Sequence, residues 1–355
     1  MQGQSGFQNF GPAPVPNPEQ QAAMDEKQLL RRDVMKCSLL LVGLSVGANL
    51  LSTVISLVWS FVNMVPALLS GGGLANPLDS MSGSLMMTFF TGYLPIILVE
   101  IAVILVAWRV LKTPFSRILG HNRMDAGFTT LGIFGCVGIG VVGQVCSILL
   151  LTFLELIHFP LYLPDFRLDW NEPAASVLVL LYVCLIGPVL EELIFRGFIL
   201  KALQKHGVSF AVIFSALLFT LFHQNIAQIF LPFLLGVMLA LLTIRTGSIL
   251  PAMLAHIVNN IMSMVLDAVL PQDNLALYWI GYIIYAVIFL GVGLIFLILY
   301  SRELTPILKW RSPVIKLRTQ LGCAIAHWST LILIGLWVLT FLYSTVIAIV
   351  QNYFY

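Results

Sequence analysis

VLEELIFR, residues 189–196, lies inside an apolar run that covers residues 174–200. This run is long enough to cross a bilayer as a helix, because about 20 mostly apolar residues suffice. Glu191, Glu192 and Arg196 therefore lie at a depth where lipid would otherwise surround them. A charged side chain at the centre of a spanning helix costs at least ~2.5–3.5 kcal/mol, so such a group usually has a partner or a function. The stretch is the first candidate for a functional element.

The composition is that of a membrane protein. Of the 355 residues, 59% are hydrophobic and 10% are charged, whereas a soluble domain has about a quarter charged residues. No basic face remains outside the loops, so the composition excludes a soluble nucleic-acid-binding protein. The five cysteines have no CxxC spacing and predict neither a disulfide framework nor a zinc ribbon. We expect an all-α, multi-pass helix bundle in a bacterial plasma membrane, in contact with the lipid bilayer.

Nine stretches are candidates for transmembrane helices. They are residues 38–68, 85–108, 128–158, 176–200, 208–224, 226–244, 249–268, 276–300 and 324–350. Only a short polar break at His223-Gln224-Asn225 separates the fifth stretch from the sixth.

The loops between these stretches alternate in charge. Lys and Arg concentrate before the first stretch and in every second loop, which predicts that those loops are cytosolic. The residues concerned are Arg31, Arg32, Lys36, Arg109, Lys112, Arg117, Arg123, Lys201, Lys205, Arg245, Arg302, Lys309, Arg311, Lys316 and Arg318. This alternation requires that the fifth and sixth stretches be separate helices. It predicts nine spans, a cytosolic N-terminus and an external C-terminus.

Helical spacing divides the three charged residues of VLEELIFR between two faces. Glu192 and Arg196 are i,i+4 neighbours, and Glu191 points about 100° away. One interpretation is that Glu192 and Arg196 neutralise each other while Glu191 faces a polar cavity as a general base. The alternative is a packing cluster in which all three form salt bridges.

Two later helices add further polar groups. His223 ends the fifth stretch, and His256 and Asn260 share one face of the seventh because they are also i,i+4 neighbours. A glutamate, two histidines and an asparagine can activate water and stabilise an oxyanion, or they can bind one divalent metal with an open position.

Three ordered motifs resemble those of the CPBP intramembrane protease family, which includes CAAX prenyl endopeptidases and Abi-type bacteriocin-processing and immunity proteins. The motifs are Glu191-Glu192-x-x-x-Arg196, Phe219-x-x-x-His223 and His256-x-x-x-Asn260. The similarity covers residues 175–265. It implies a CAAX protease-like endopeptidase that hydrolyses a peptide bond of a membrane protein or peptide.

The resemblance also implies roles for single residues. Glu191 with His223 would activate the attacking water, His256 with Asn260 would stabilise the oxyanion, and Glu192 with Arg196 would hold their helix in register. A metalloprotease with zinc or another divalent metal on Glu191, His223 and His256 is one form of this mechanism, and a metal-free form is the other. Asn is a poor zinc ligand, which favours the oxyanion role for Asn260.

We divide the chain accordingly into four parts. Residues 1–30 are expected to be a disordered cytosolic tail, 31–172 N-terminal transmembrane helices, 173–268 the catalytic core, and 269–355 C-terminal helices with a basic cytosolic loop. Two other functions stay open. A non-catalytic relative would act as a bacteriocin immunity or scaffold protein, and a transporter would use the same polar groups as a relay.

Overall fold

A computed structural model describes residues 17–69, 84–114, 118–120, 125–161, 168–271 and 273–354, and all regular elements in these ranges are helices. They are α1 Pro18–Leu69, α2 Leu85–Leu111, α3 Ala126–Leu156, α4 Pro173–Gln204, α5 Val208–Phe222, α6 Phe230–Thr246, α7 Leu250–Val269, α8 Leu275–Lys309, α9 Leu317–Ile325 and α10 Trp328–Phe354. Within the described ranges, 8 helices are long and apolar enough to span a membrane. The protein is therefore a multi-pass, all-α membrane protein, as predicted.

The fifth predicted span is the exception in length. Helix α5 has 15 residues, most of them buried, and it extends only about 22 Å at 1.5 Å per residue. Because protein rather than lipid surrounds it, α5 does not have to match the thickness of the bilayer. It is separate from α6, as the charge pattern of the loops required.

The N-terminal tail is shorter than the sequence suggested. Residues 1–16 of the predicted disordered segment lie outside the described residues, but helix α1 already begins at Pro18, so disorder through residue 30 is wrong for its second half. A reciprocal cap starts the helix: the Asn17 amide N–H donates to Gln20 Oε1 at 3.0 Å, and the Gln20 amide N–H donates to Asn17 Oδ1 at 2.8 Å. Pro18 occupies the first helical position, where its missing N–H costs nothing.

The basic segment before the last span is also more ordered than expected. Helix α8 continues to Lys309, and the short helix α9 covers Leu317–Ile325. A run of apolar residues predicts only the part of a helix that lies in lipid. Polar turns that extend beyond the membrane are therefore not predicted by it.

Glu172 ties the outer end of α2 to the start of α4. Its carboxylate accepts hydrogen bonds from the Ser84 hydroxyl at 2.9 Å and from the amides of Leu85 and Met86 at 3.0 Å. These donors, the Met86 amide first, hold the pKa of Glu172 below its usual range. The contact keeps α2 beside α4, where the rings of Tyr93 and Tyr182 lie 5.1 Å apart.

Small residues let α3 pack closely on its neighbours. A Cβ atom at Gly138 would lie 2.1 Å from the backbone oxygen of Phe289 on α8. A Cβ atom at Gly140 would lie 2.5 Å from Oδ1 of Asn259 on α7. Both contacts leave no space for a methyl group.

Replacing Gly138 tests this packing. We expect Gly138→Ala to destabilise the protein by about 1–3 kcal/mol, because the added methyl group must push α3 away from α8. The measurement is the thermal denaturation midpoint of the purified protein in detergent. Gly291→Ala is the matched control, since a Cβ atom there meets nothing within 4 Å. Equal midpoints for the two variants would contradict the account.

Candidate active site

The two glutamates of VLEELIFR lie between two π-helical segments of α4. Residues Tyr182–Ile186 and Leu193–Ile199 are π-helical, and the α-helical turn Gly187–Glu192 separates them. Pro188 has no amide hydrogen, so the regular i→i−4 pattern is interrupted at this point. Such π segments often occur at functional sites because they change the direction of side chains within one helix. The 3.6-residue spacing used on the sequence did not anticipate them.

Glu192 is fully buried and binds two partners. Its Oε1 accepts a hydrogen bond from Arg196 Nη1 at 2.7 Å and lies 2.9 Å from Nδ1 of His256 on α7. Arg196 also donates to the Gly236 carbonyl on α6 at 3.3 Å. The predicted pair of Glu192 and Arg196 is present, and the link to His256 is additional. Glu192 thereby connects α4 to α7.

The contact with Glu192 sets the orientation of His256. Since a carboxylate only accepts hydrogen bonds, Nδ1 of His256 carries the proton that it donates to Glu192. The Nε2 edge then faces Glu191, with Nε2 and Glu191 Oε2 3.8 Å apart. The imidazole is buried and does not line the large cavity described below.

Glu191 has a different environment from its neighbour. Its side chain borders the cavity and keeps 12% of its surface exposed, whereas that of Glu192 is fully buried. Within the described part of the chain, Oε2 of each glutamate has no hydrogen-bond partner, but Glu192 is paired through its Oε1. The two glutamates therefore differ in burial and in their partners, and Glu191 is the one that borders the cavity.

His223 lies at the same cavity because α5 is short. It follows the last residue of α5, and its Nδ1 lies 2.8 Å from the Phe219 carbonyl. Nδ1 donates this hydrogen bond, which leaves the lone pair of Nε2 available. Gln224 anchors the turn by donating to the Ser45 hydroxyl of α1 at 2.8 Å. His223 follows the end of α5 and Glu191 lies in the interior of α4, so chain position alone does not show that they share a cavity.

Asn260 and its neighbour Asn259 line the cavity from α7. The Asn260 side-chain amide donates to the Val183 carbonyl, in the first π segment of α4, at 2.9 Å. Asn259 donates to Asn260 Oδ1 at 3.3 Å. One amide N–H of Asn260 therefore remains for another acceptor. Sequence reasoning missed Asn259, although the motif His256-x-x-x-Asn260 contains it.

These side chains surround a cavity of about 630 Å³ between α1, α2, α3, α4 and α7. Apart from Glu191 and His223, its polar lining among the described residues is neutral. That lining consists of Ser45, Asn49, Ser52, Tyr93, Gln144, Ser147, Tyr182, Gln224, Gln228, Asn259, Asn260 and Ser263. Single serines and amides in apolar helices are usually packing residues, so their positions alone do not indicate a shared cavity.

Two further glutamates match none of the motifs. Glu100 of α2 is fully buried, and both of its carboxylate oxygens lack a hydrogen-bond partner in the described chain. It does not line the cavity but is close enough to Glu191 to interact with it electrostatically. Glu155 is exposed near the outer end of α3.

The donor geometry does not fit a bound metal ion. Within the described ranges, no group of three or more His, Cys, Asp and Glu side chains is arranged to hold one. Two of the three candidate ligands lie close together, since His256 Nε2 is 3.8 Å from Glu191 Oε2. Direct ligation by all three side chains would require His223 to join this pair.

Comparison with known proteins points to one family. Residues 173–262 match the family model described as type II CAAX prenyl endopeptidase Rce1-like. A similar curated protein is "Putative membrane peptidase YdiL" of Bacillus subtilis (strain 168), which is 33% identical over 87 residues. The aligned segment is 24% of this chain and 36% of that relative, so the chain spans about a third of the relative's length. No solved structure matches the chain.

The matched segment carries all six residues of the three motifs that were singled out as functional: Glu191, Glu192, Arg196, His223, His256 and Asn260. The segment that matches the type II CAAX prenyl endopeptidase Rce1-like model is therefore the segment that carries the candidate site.

Proposed function

We propose that this protein is an intramembrane endopeptidase that hydrolyses a peptide bond of a membrane-associated protein or peptide. The observation that carries the proposal is the meeting of Glu191, His223 and Asn260, from three different parts of the chain, at one cavity inside a helix bundle. A carboxylate, an imidazole and an amide donor are the groups that water-mediated hydrolysis of an amide requires. The Rce1-like match of residues 173–262 supports the same activity.

In the first step, Glu191 acts as the general base. It accepts a proton from a water molecule while the water oxygen forms a bond to the scissile carbonyl carbon. The electrons of the carbonyl double bond move to its oxygen, which becomes an oxyanion. Nε2 of His223, whose orientation the Phe219 carbonyl fixes, accepts a hydrogen bond from the second O–H of the water and orients it for attack.

The remaining amide N–H of Asn260 donates to this oxyanion. Its other N–H is fixed on the Val183 carbonyl, so the group is oriented before the reaction begins, which is the condition for electrostatic stabilisation. When the intermediate collapses, the carbon–nitrogen bond breaks and Glu191 returns its proton to the leaving amine. This leaves a carboxylic acid and an amine, and Glu191 is ionised again. The acid then loses its remaining proton to the amine, which gives a carboxylate and an ammonium product.

We assign His256 to positioning rather than to the oxyanion contact that the family resemblance implied. Its ring lies outside the cavity lining, between Glu192 and Glu191. From this position it contacts Glu192 directly and lies beside Glu191, with Nε2 3.8 Å from Oε2. Because the donors do not converge, no step of this mechanism involves a metal ion.

A substitution of Glu191 tests the chemistry. We expect Glu191→Gln to lower cleavage by ~10²–10⁴-fold, because glutamine cannot accept the proton. The measurement compares the termini of peptides in membranes from cells that express the wild type or the variant. Glu155→Gln is the matched control, since Glu155 is exposed and does not line the cavity. A biological function that survives in Glu191→Gln would instead indicate the immunity or scaffold protein.

A substitution of Glu192 tests the separation of roles. Glu192→Gln leaves Arg196 buried without its carboxylate, and breaking a buried ion pair costs about 3–5 kcal/mol. We expect a lower denaturation midpoint and a lower yield of folded protein for Glu192→Gln. Glu191→Gln should denature like the wild type, since no hydrogen bond to Glu191 Oε2 is lost. A Glu192→Gln variant as stable as the wild type would show that Glu192 is not the anchor.

A further inference from the structure

The basic ends of three helices meet at one side of the bundle. Arg32 and Lys36 of α1, Lys112 after α2, and Lys201 and Lys205 of α4 line a cavity of about 800 Å³. Among its described lining residues the one acid is Asp33, which pairs with Lys205 at 2.8 Å and with His206 at 2.9 Å. Since loops rich in Lys and Arg stay in the cytosol, this side is the cytosolic end of the bundle.

The catalytic cavity takes its walls from the opposite halves of the same helices. On α4, the helix rises about 15 Å from Lys201 back to Glu191, and Val179 lies about 18 Å farther. On α2, the lining residues Gly92 and Ile96 lie about 20–25 Å from Arg109. Both helices run toward the cytosolic end, and both contribute to the cavity before they reach it.

The helices that run in the opposite direction place the cavity at the same depth. On α1, Ser45 and Ser52 lie about 13 and 24 Å beyond Lys36. On α7, Asn260 lies about 15 Å from the start of the helix, which follows Arg245. Gln224 and Gln228 lie in the turn that connects the outer ends of α5 and α6. The cavity therefore extends from the middle of the membrane toward its non-cytosolic surface.

The lining restricts the chemistry of what the cavity can hold. Apart from Glu191 and His223, its polar groups among the described residues are hydroxyls and amides, and Glu191 is the one carboxylate. Peptide groups released from a helix need hydrogen-bond partners inside a membrane, and Asn49, Gln144 and Gln228 offer both donors and acceptors. A lysine or arginine of a substrate would meet few anionic partners here, so a neutral segment fits best.

We propose that the protein cleaves an uncharged, locally unwound segment of an exported or membrane-inserted polypeptide in the outer half of the bilayer. This rests on the proposed peptidase activity and specifies its substrate. A C-terminal tail that approaches from the cytosol would first contact the basic end of the bundle. The carboxylate of Glu191 lies about 15 Å deeper than that end.

The direction of the opening is tested by labelling that does not depend on activity. Gln228→Cys, at the cavity, and Lys112→Cys, at the basic end, are treated with a charged, membrane-impermeant maleimide in intact cells. The wild type gives the background from the five native cysteines. We expect Gln228→Cys to react in intact cells and Lys112→Cys to react only after permeabilisation. The reverse pattern would overturn the proposal.

The position of the scissile bond is tested by mapping. New peptide termini that are present with the wild type and lost with Glu191→Gln are located in the sequences of the cleaved proteins. We expect them in the non-cytosolic half of a membrane span or directly outside it, within a stretch that lacks Lys and Arg. Termini in cytosolic tails would contradict this inference while leaving the peptidase activity established. If the wild type and Glu191→Gln give the same termini while the labelling pattern is as expected, the peptidase activity is refuted and the direction of the opening is not.

Discussion

The buried carboxylate of Glu192 makes the contacts on which the arrangement of the candidate site depends. It binds Arg196 of its own helix and His256 of α7 through the same oxygen. An ionised group inside a bilayer needs such partners, because lipid offers none. By meeting that requirement across two helices, Glu192 fixes α4 and α7 relative to each other. It also sets which edge of the His256 ring faces Glu191.

The same constraint explains why the two adjacent glutamates differ. Glu192 is fully enclosed by its partners, so Glu191 is left to border the cavity on another side of α4. The π segments on either side of the pair alter the regular spacing of α4 at this turn, and one of them supplies the carbonyl that holds Asn260. The short helix α5 then ends at the depth where His223 can share the cavity with Glu191. Rigid helices thus hold each reacting group in place.

Sequence patterns predicted nine spans, and the described chain has 8 long apolar helices and the shorter helix α5 at those places. They also predicted the separate fifth and sixth helices and the pairing of Glu192 with Arg196. Those features follow from local rules, namely the length of apolar runs, the charge of loops and the i,i+4 spacing. The link between Glu192 and His256 joins residues 64 positions apart, and no local rule specifies it. The reciprocal cap between Asn17 and Gln20 could have been predicted from the sequence, but the composition of the segment around it suggested disorder.

The neutral lining of the cavity was hidden for a different reason. Ser45, Gln144 and Asn259 come from three helices, and each alone has the spacing of an ordinary packing residue. Gly140 illustrates the difficulty: its sequence context suggested only close helix contact, yet that contact brings α3 onto the Asn259 side chain. The site exists only once the helices are assembled.

The most direct measurement is an experimental structure of the Glu191→Gln variant in a lipid nanodisc with an uncharged peptide bound. Without the base, the peptide should remain intact. The account predicts its scissile carbonyl within hydrogen-bond distance of the Asn260 amide, with His223 beside it and the chain leading to the surface near Gln228. A peptide held instead at the basic end, against Lys112 and Lys201, would contradict the assignment of the active site.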